Sequence, residues 1–307
     1  MSDHDHQTIS AETEAVSPRF ADLDTWPAGD IVASLVEAQI AAASALCAVR
    51  PALAAAAEAA ADRLTDGTGR LVYAGAGASG RLAAQDAVEL HPTYGWPAAR
   101  LILLLAGGEV ALARSVEGAE DDAAAARAAV AEHDLGPSDA MVSLAASGRT
   151  PYVVAAAQAA RDRGALVIGL ANNPDTALLA AADWPILLDT GPEVIAGSTR
   201  MAAGTAQKAA LNVLSTTIMV RLGRVYSNLM ADLAASNAKL DRRRIEVLRR
   251  IRPADEPAAR AALDRAGGGI KAAALILAGL APDAANRLLD RHGGSLRAAL
   301  GEVEAPR

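Results

Sequence analysis

The stretch that most limits what this chain can fold into runs from Leu71 to Glu89, LVYAGAGASGRLAAQDAVE. A short apolar run meets a turn containing Gly75, Gly77, Ser79 and Gly80, and an alanine-rich segment of good helix formers follows. The order reads as strand, loop, helix. Such a turn presents free backbone N–H groups at a helix N-terminus, where the helix dipole favours an anion, so a phosphate is the natural occupant. Gly75 to Gly80 also fits GxGxxG, the dinucleotide fingerprint. That fingerprint needs an acidic residue about twenty positions further on to hold a ribose. The chain instead continues HPTYGWPAARLILLLAGG, and no carboxylate ends a second strand.

Beyond Glu89 the same alternation repeats. Apolar runs at Leu71 to Gly75, Arg100 to Ala106, Ala140 to Ala145, Ala165 to Ala171 and Trp184 to Asp189 are separated by helical patterns. The fold class expected is α/β, a doubly wound five-stranded parallel sheet. Ligands bind such sheets at the carboxyl ends of the strands. The exit loops there are GAGASG, AGGE, AASGRTP, ANNPD and TGPEVIAGSTRMAAGTAQK, rich in Gly, Ser and Thr. A disordered leader is expected over 1–17 and N-terminal helices over 18–65, with a break near Pro51. The sheet domain is expected over 66–225, including a helix from Thr199 to Leu222. A long connecting helix over 226–251 and a small C-terminal helical bundle over 252–307 complete the chain. In that bundle Gly267, Gly268, Gly269, Gly293 and Gly294 read as helix stops, because no strand precedes them.

Of the 307 residues, 52% are hydrophobic but only 3% aromatic, so the core must be packed mainly by Ala, Leu, Val and Ile. The formal net charge of −7 argues against a general nucleic-acid binder, which needs a basic face. The runs Arg242-Arg243-Arg244 and Arg249-Arg250 read as a solvated helix face. A single cysteine, Cys47, cannot close an internal disulfide, and MSDHDHQTIS lacks the layout of a signal peptide. The expected compartment is the cytoplasm, with no membrane span and no membrane partner. His4 and His6 read as part of a mobile polar tail.

Three exit loops carry hydroxyl-rich turns at helix starts: Gly77, Ser79 and Gly80; Ser147, Gly148 and Thr150; and Ser198 with Thr199. Each alone reads as N-capping, which Ser and Thr do constantly. Three on one sheet edge favour a shared phosphorylated ligand. Carboxylates supply the other half of the chemistry. Glu89 stands among apolar neighbours at the end of its helix, against the dipole. Glu117, Glu120 and Glu193 also follow exit loops, and the residue pattern alone does not choose among them. Two carboxylates beside a sugar phosphate suit proton transfer, one as acid and one as base.

The phrases GRLVYAGAGASGRL, DAVELHPTYG, AGGEVALARSVEGAEDD, AASGRTPYV, GPEVIAGSTRMAAGTAQK and GRVYSNLMADLAASNAKL cover the chain from about Gly69 to Leu240. Together they resemble the N-acetylmuramic acid 6-phosphate etherases of the sugar isomerase (SIS) superfamily. DRHGGSLRAAL looks like that family's ending. The resemblance implies cleavage of the lactyl ether at C3 of the sugar phosphate, giving N-acetylglucosamine 6-phosphate and D-lactate in cell-wall recycling. It implies no metal or organic cofactor. It matches Glu89 to the family's proton-donor glutamate and Glu120 to its second catalytic glutamate.

Ring opening would expose an aldehyde that acidifies the C2 proton, so that Glu120 can remove it while Glu89 protonates the departing oxygen. Apolar neighbours such as Val88 and Leu90 are expected to favour the protonated acid. The chain departs from the family pattern at Val88, Leu90 and His91, where serine, cysteine and proline are usual, and at Ala202, where lysine is common. His91 is expected to make a structural hydrogen bond in a loop. Two rival readings are an aldose–ketose sugar-phosphate isomerase, which needs no leaving-group acid, and a non-catalytic sugar-phosphate sensor. A homodimer is expected, because Glu89 lies some 15 Å along its helix from the phosphate end.

Overall fold

The structure, a computed structural model, describes residues 11–234 and 238–305. Two N-terminal helices, α1 (Ala28–Ser44) and α2 (Leu46–Leu64), precede β1 (Leu71–Gly75), α3 (Gly77–Tyr94) and β2 (Leu101–Leu105). The short α4 (Val110–Ala113) and α5 (Ala123–Glu132) lead to β3 (Ala140–Leu144), α6 (Pro151–Asp162) and β4 (Leu166–Ala171). Then come α7 (Ala177–Ala181), β5 (Trp184–Leu187) and the long α8 (Ala202–Arg221). A hairpin of β6 (Val225–Tyr226) and β7 (Leu229–Met230) follows, and then α9 (Ala238–Ile251). The C-terminal unit adds α10 (Glu256–Arg265), α11 (Ile270–Leu277), α12 (Pro282–Arg291) and α13 (Leu296–Glu304).

The sheet is five-stranded and parallel, ordered β2-β1-β3-β4-β5. Its strands are buried on both sides, and the alternation of side chains sorts the core into two layers. Leu71 and Tyr73 of β1 join α2, α3 and α8 on one face, while Val72 and Ala74 join α5, α6 and α7 on the other. The chain reverses its winding at β1. The first crossover steps outward to β2 and the next returns past β1 to β3, so right-handed connections lay their helices on opposite faces. The exit loops of β1 and β3 therefore adjoin at the switch point. Alanines do much of the packing: Ala56, Ala57 and Ala60 of α2 and Ala206 and Ala210 of α8 have no exposed surface. Small side chains let helices approach closely.

Several boundaries differ from those the sequence predicts. The break between the first two helices falls at Ala45, and Pro51 lies inside α2. Proline lacks the N–H that would bond the carbonyl four residues back. Here Arg50 Nε donates to that carbonyl of Cys47 at 3.1 Å, which keeps the turn satisfied. Of the helix predicted over 226–251, Ala238–Ile251 is helical, while the chain at 225–230 turns through the β6–β7 hairpin with Ser227 at φ 55°. The predicted helix from Thr199 begins at Ala202.

Of the leader, residues 1–10, with His4 and His6, lie outside the described residues, but 11–17 is docked rather than disordered. Thr13 is fully buried; its N–H donates to Asn173 Oδ1 at 3.2 Å, its hydroxyl accepts from Asn173 Nδ2 at 3.0 Å, and its carbonyl accepts from Gly197 N at 3.0 Å. Ala28–Leu64 is apolar enough in one window, at mean hydropathy 1.8, to cross a membrane. Only 6% of that window is buried, whereas α2 buries Leu53, Ala56, Ala57, Ala60 and Leu64 in the core on one face of the sheet.

The C-terminal helices share a separate core. A polar chain ties them to α3: Arg224 donates to the carbonyls of Tyr94 and Gly95 at 3.3 and 3.2 Å and lies 3.7 Å from Asp232. Asp232 in turn pairs with Lys271 of α11 at 2.5 Å. Burial pushes the Asp232 carboxyl up and the Lys271 ammonium down, with the pairing opposing both shifts.

Candidate active site

The glycine turn after β1 takes its shape from close backbone approach. A Cβ on Gly75 would lie 2.6 Å from the Cα of Gly80, and one on Gly80 would lie 2.3 Å from Leu105 Cδ1. Gly77 opens α3 with φ +52°, a left-handed conformation that costs glycine little. Ser79 is buried in the first turn. No side chain caps α3, nor α6, which opens at Pro151 behind Thr150. Their first-turn amides are thus open to an anion. Beside them Ser147 Oγ accepts from Arg149 N at 3.1 Å and lies 3.4 Å from Thr150 Oγ1. Gly148, at φ +64°, is pressed on Thr176, whose buried hydroxyl has no hydrogen-bond partner among the described residues. The hydroxyls of Ser147 and Thr150 cap neither helix, so the plain capping reading does not account for them.

The third turn differs. Neither Ser198 nor Thr199 caps α8, because Glu193 does so: its Oε2 accepts from Ala202 N and its Oε1 from Ala203 N, both at 2.9 Å. Glu193 is 1% exposed with both oxygens engaged, so it holds the β5 exit loop against α8. Glu193→Ala is expected to lower stability by about 1–3 kcal/mol, the cost of two orphaned buried N–H groups. Thermal melting checks this; an unchanged Tm would mean that the cap is dispensable.

Of the exit-loop carboxylates, Glu120 reaches the glycine turn. Its Oε1 would lie 2.5 Å from a Cβ on Gly77, so the end of the Glu120 side chain rests against the turn. Glu117, three residues earlier, lines a cavity of about 630 Å³ with Val116, Asp122 and Tyr152 instead. Glu89 occupies other ground. It is exposed near the far end of α3, twelve residues after Gly77 or about 18 Å along the axis. One chain therefore holds Glu89 and Glu120 at opposite ends of the same helix.

The apolar surroundings expected for Glu89 are formed in part: Val88 points to solvent at 62% exposure, but Leu90 lines a small mixed cavity of about 170 Å³ with Glu89, Asp86, Lys208, Asn212 and Ser215. Asp86, one helical turn before Glu89, accepts from the Tyr73 hydroxyl at 2.8 Å. Burial holds the Asp86 carboxyl above its ordinary range, and burial then the Asp86 charge push the Tyr73 phenol well up. His91 is helical rather than in a loop, since α3 runs through Pro92 to Gly95 at φ +60°. Its Nδ1 lies 3.0 Å from the Trp96 carbonyl, a structural contact.

Lys208 closes the stretch TGPEVIAGSTRMAAGTAQK without standing out there, and Asn212 lies beyond it; both stand in the interior of α8. Their spacing of four residues on α8 places them on one helical face, but nothing in the sequence points that face at Glu89.

Residues 52–161 match the glucokinase regulatory protein N-terminal SIS domain, and 121–217 match the SIS domain. A putative phosphosugar isomerase involved in capsule formation from Bacteroides fragilis shares the fold, with TM-score 0.50 and 21% identity over 67% of this chain and 98% of its own. An N-acetylmuramic acid 6-phosphate etherase of Deinococcus radiodurans is 52% identical over 97% of this chain and 98% of its own length. One from Rubrobacter xylanophilus is 47% identical over 96% and 97%, and one from Streptomyces avermitilis 45% over 98% of each. With identity of this level along its whole length, the chain belongs to the N-acetylmuramic acid 6-phosphate etherase family.

Proposed function

We propose that this protein cleaves the D-lactyl ether of N-acetylmuramic acid 6-phosphate with water, giving N-acetylglucosamine 6-phosphate and D-lactate. The observation that carries this is the near full-length identity of 52% to a relative bearing that name. The uncapped helix starts at Gly77 and Pro151, with the Ser147 and Thr150 hydroxyls beside the second, suit the phosphate. The test is incubation with N-acetylmuramic acid 6-phosphate and an assay for D-lactate. Ketose formation without lactate would favour the isomerase reading, and binding without turnover the sensor.

The chemistry divides between two glutamates. Opening of the hemiacetal frees the C1 aldehyde, and Glu120 takes the C2 proton. The electron pair forms a C2–C3 double bond as the C3–O bond breaks, and Glu89 gives its proton to the departing lactate oxygen. Water then adds at C3, losing a proton to Glu89, while Glu120 returns one to C2. Ser147, Thr150 and the Gly77 turn, with Ser79 and Gly80, hold the phosphate; Ser198 and Thr199 border the same edge. Ser147→Ala with Thr150→Ala is expected to raise KM roughly tenfold or more with little change in kcat, since each change removes one hydrogen bond to a charged acceptor. Unchanged KM would return both hydroxyls to a structural role.

The working form is a cytoplasmic homodimer in which Glu89 of one subunit serves the phosphate cradle and Glu120 of its partner. The separation along α3 supports this. So do exposed apolar residues on three helices: Val32, Val36 and Ile40 of α1 at 58, 53 and 63%, Val88 of α3, and Val213 and Val220 of α8. The α1 residues recur every four positions, one unpartnered stripe of a size to pack on a second copy.

A further inference from the structure

Lys208 is a half-buried ammonium whose hydrogen-bond partner is the neutral Asn212 amide, one turn along α8. Among the described residues no carboxylate lies within ion-pairing distance of it. Asp86, near enough to feel its charge, already accepts from the Tyr73 hydroxyl, and Glu89 stands at the opening of the same cavity. A half-buried cation that makes no ion pair, and whose nearby carboxylate is already engaged by a phenol, attracts an incoming anion more strongly than a fully solvated cation would.

The lactyl substituent supplies an anion in a fixed place. Its carboxylate is attached to the carbon that bears the ether oxygen, so whatever binds it must stand next to the group that protonates that oxygen. In this chain that group is Glu89, and the neighbouring cation is Lys208. We infer that Lys208, held by Asn212, is the specificity residue that binds the carboxylate of the departing lactyl group. This rests on the ether-cleavage reading. Beyond selecting a charged leaving group, the ammonium would offset the repulsion between that carboxylate and the negative charge growing on the adjacent oxygen.

The test compares N-acetylmuramic acid 6-phosphate with its lactamide analogue, which has the same shape but no charge. Wild-type protein is expected to prefer the acid in kcat/KM by roughly 10- to 150-fold, the equivalent of one charge-assisted hydrogen bond. In Lys208→Met the preference should fall to near unity through loss on the acid alone, with the amide turned over as before, and Lys208→Arg should restore most of it. If Lys208→Met folds poorly, Lys208→Gln keeps the contact with Asn212 and gives the same comparison. Equal use of acid and amide by wild-type protein overturns the assignment without any variant. So does a variant that keeps the acid preference, or one that loses both substrates equally as a structural defect would. Failure of wild-type protein to release D-lactate at all would instead sink the ether-cleavage reading.

Discussion

Glu89→Gln and Glu120→Gln are each expected to lower kcat by about 10²- to 10⁴-fold, the usual contribution of a positioned acid or base, with KM little changed. The amide keeps the shape of the side chain and removes only the transferable proton. Glu89 is exposed, and the one close contact found for Glu120 is with the glycine turn at Gly77, so neither change leaves a buried partner stranded. The two variants should fail at different steps. In heavy water, Glu89→Gln should still exchange the C2 proton of unreacted sugar, because Glu120 can act without a departing lactate. Glu120→Gln should exchange nothing. Wild-type product should carry solvent deuterium at C2; its absence would refute the elimination, and near-normal turnover in either variant would remove that residue from its role.

Mixing these two inactive variants should restore activity. If Glu89 of one subunit serves the Gly77 and Glu120 end of its partner, a mixed dimer holds one site with both lesions and one with neither. Random exchange makes about half of all dimers mixed, so recovery should approach about a quarter of the wild-type rate in a two-fold assembly. The basis is that Glu120 lies against Gly77 while Glu89 is about 18 Å further along α3. Verified mixed dimers without recovery would show that each chain builds its own site, and a monomer active in dilute solution would remove the dimer.

The strand–glycine–helix unit and the five-stranded sheet are legible in the sequence because they rest on local signals. An apolar run of strand length and a turn that only glycine can make need no distant partner to be recognised. The same locality misplaces boundaries where a distant or side-chain contact decides. Pro51 reads as a break until Arg50 satisfies the carbonyl it frees. Residues 11–17 read as a polar tail until Asn173, far along the chain, binds Thr13.

The carboxylates show the division most clearly. Sequence spacing left Glu117, Glu120 and Glu193 equivalent, and the family resemblance chose Glu120. The fold brings Glu120 to the glycine turn, spends both oxygens of Glu193 on the amides of α8, and turns Glu117 into another cavity. Of the two apolar neighbours expected beside Glu89, Leu90 shares its cavity and Val88 does not, because neighbours in sequence point about 100° apart on a helix. Its actual company, Lys208 and Asn212, arrives from a helix more than a hundred residues later. The chain's own sequence thus determined the sheet, the glycine turn that follows β1 and the presence of glutamates on its exit loops and on α3. Which polar groups stand beside each glutamate was decided only when α3 packed against α8, since that packing joins residues with no local relation.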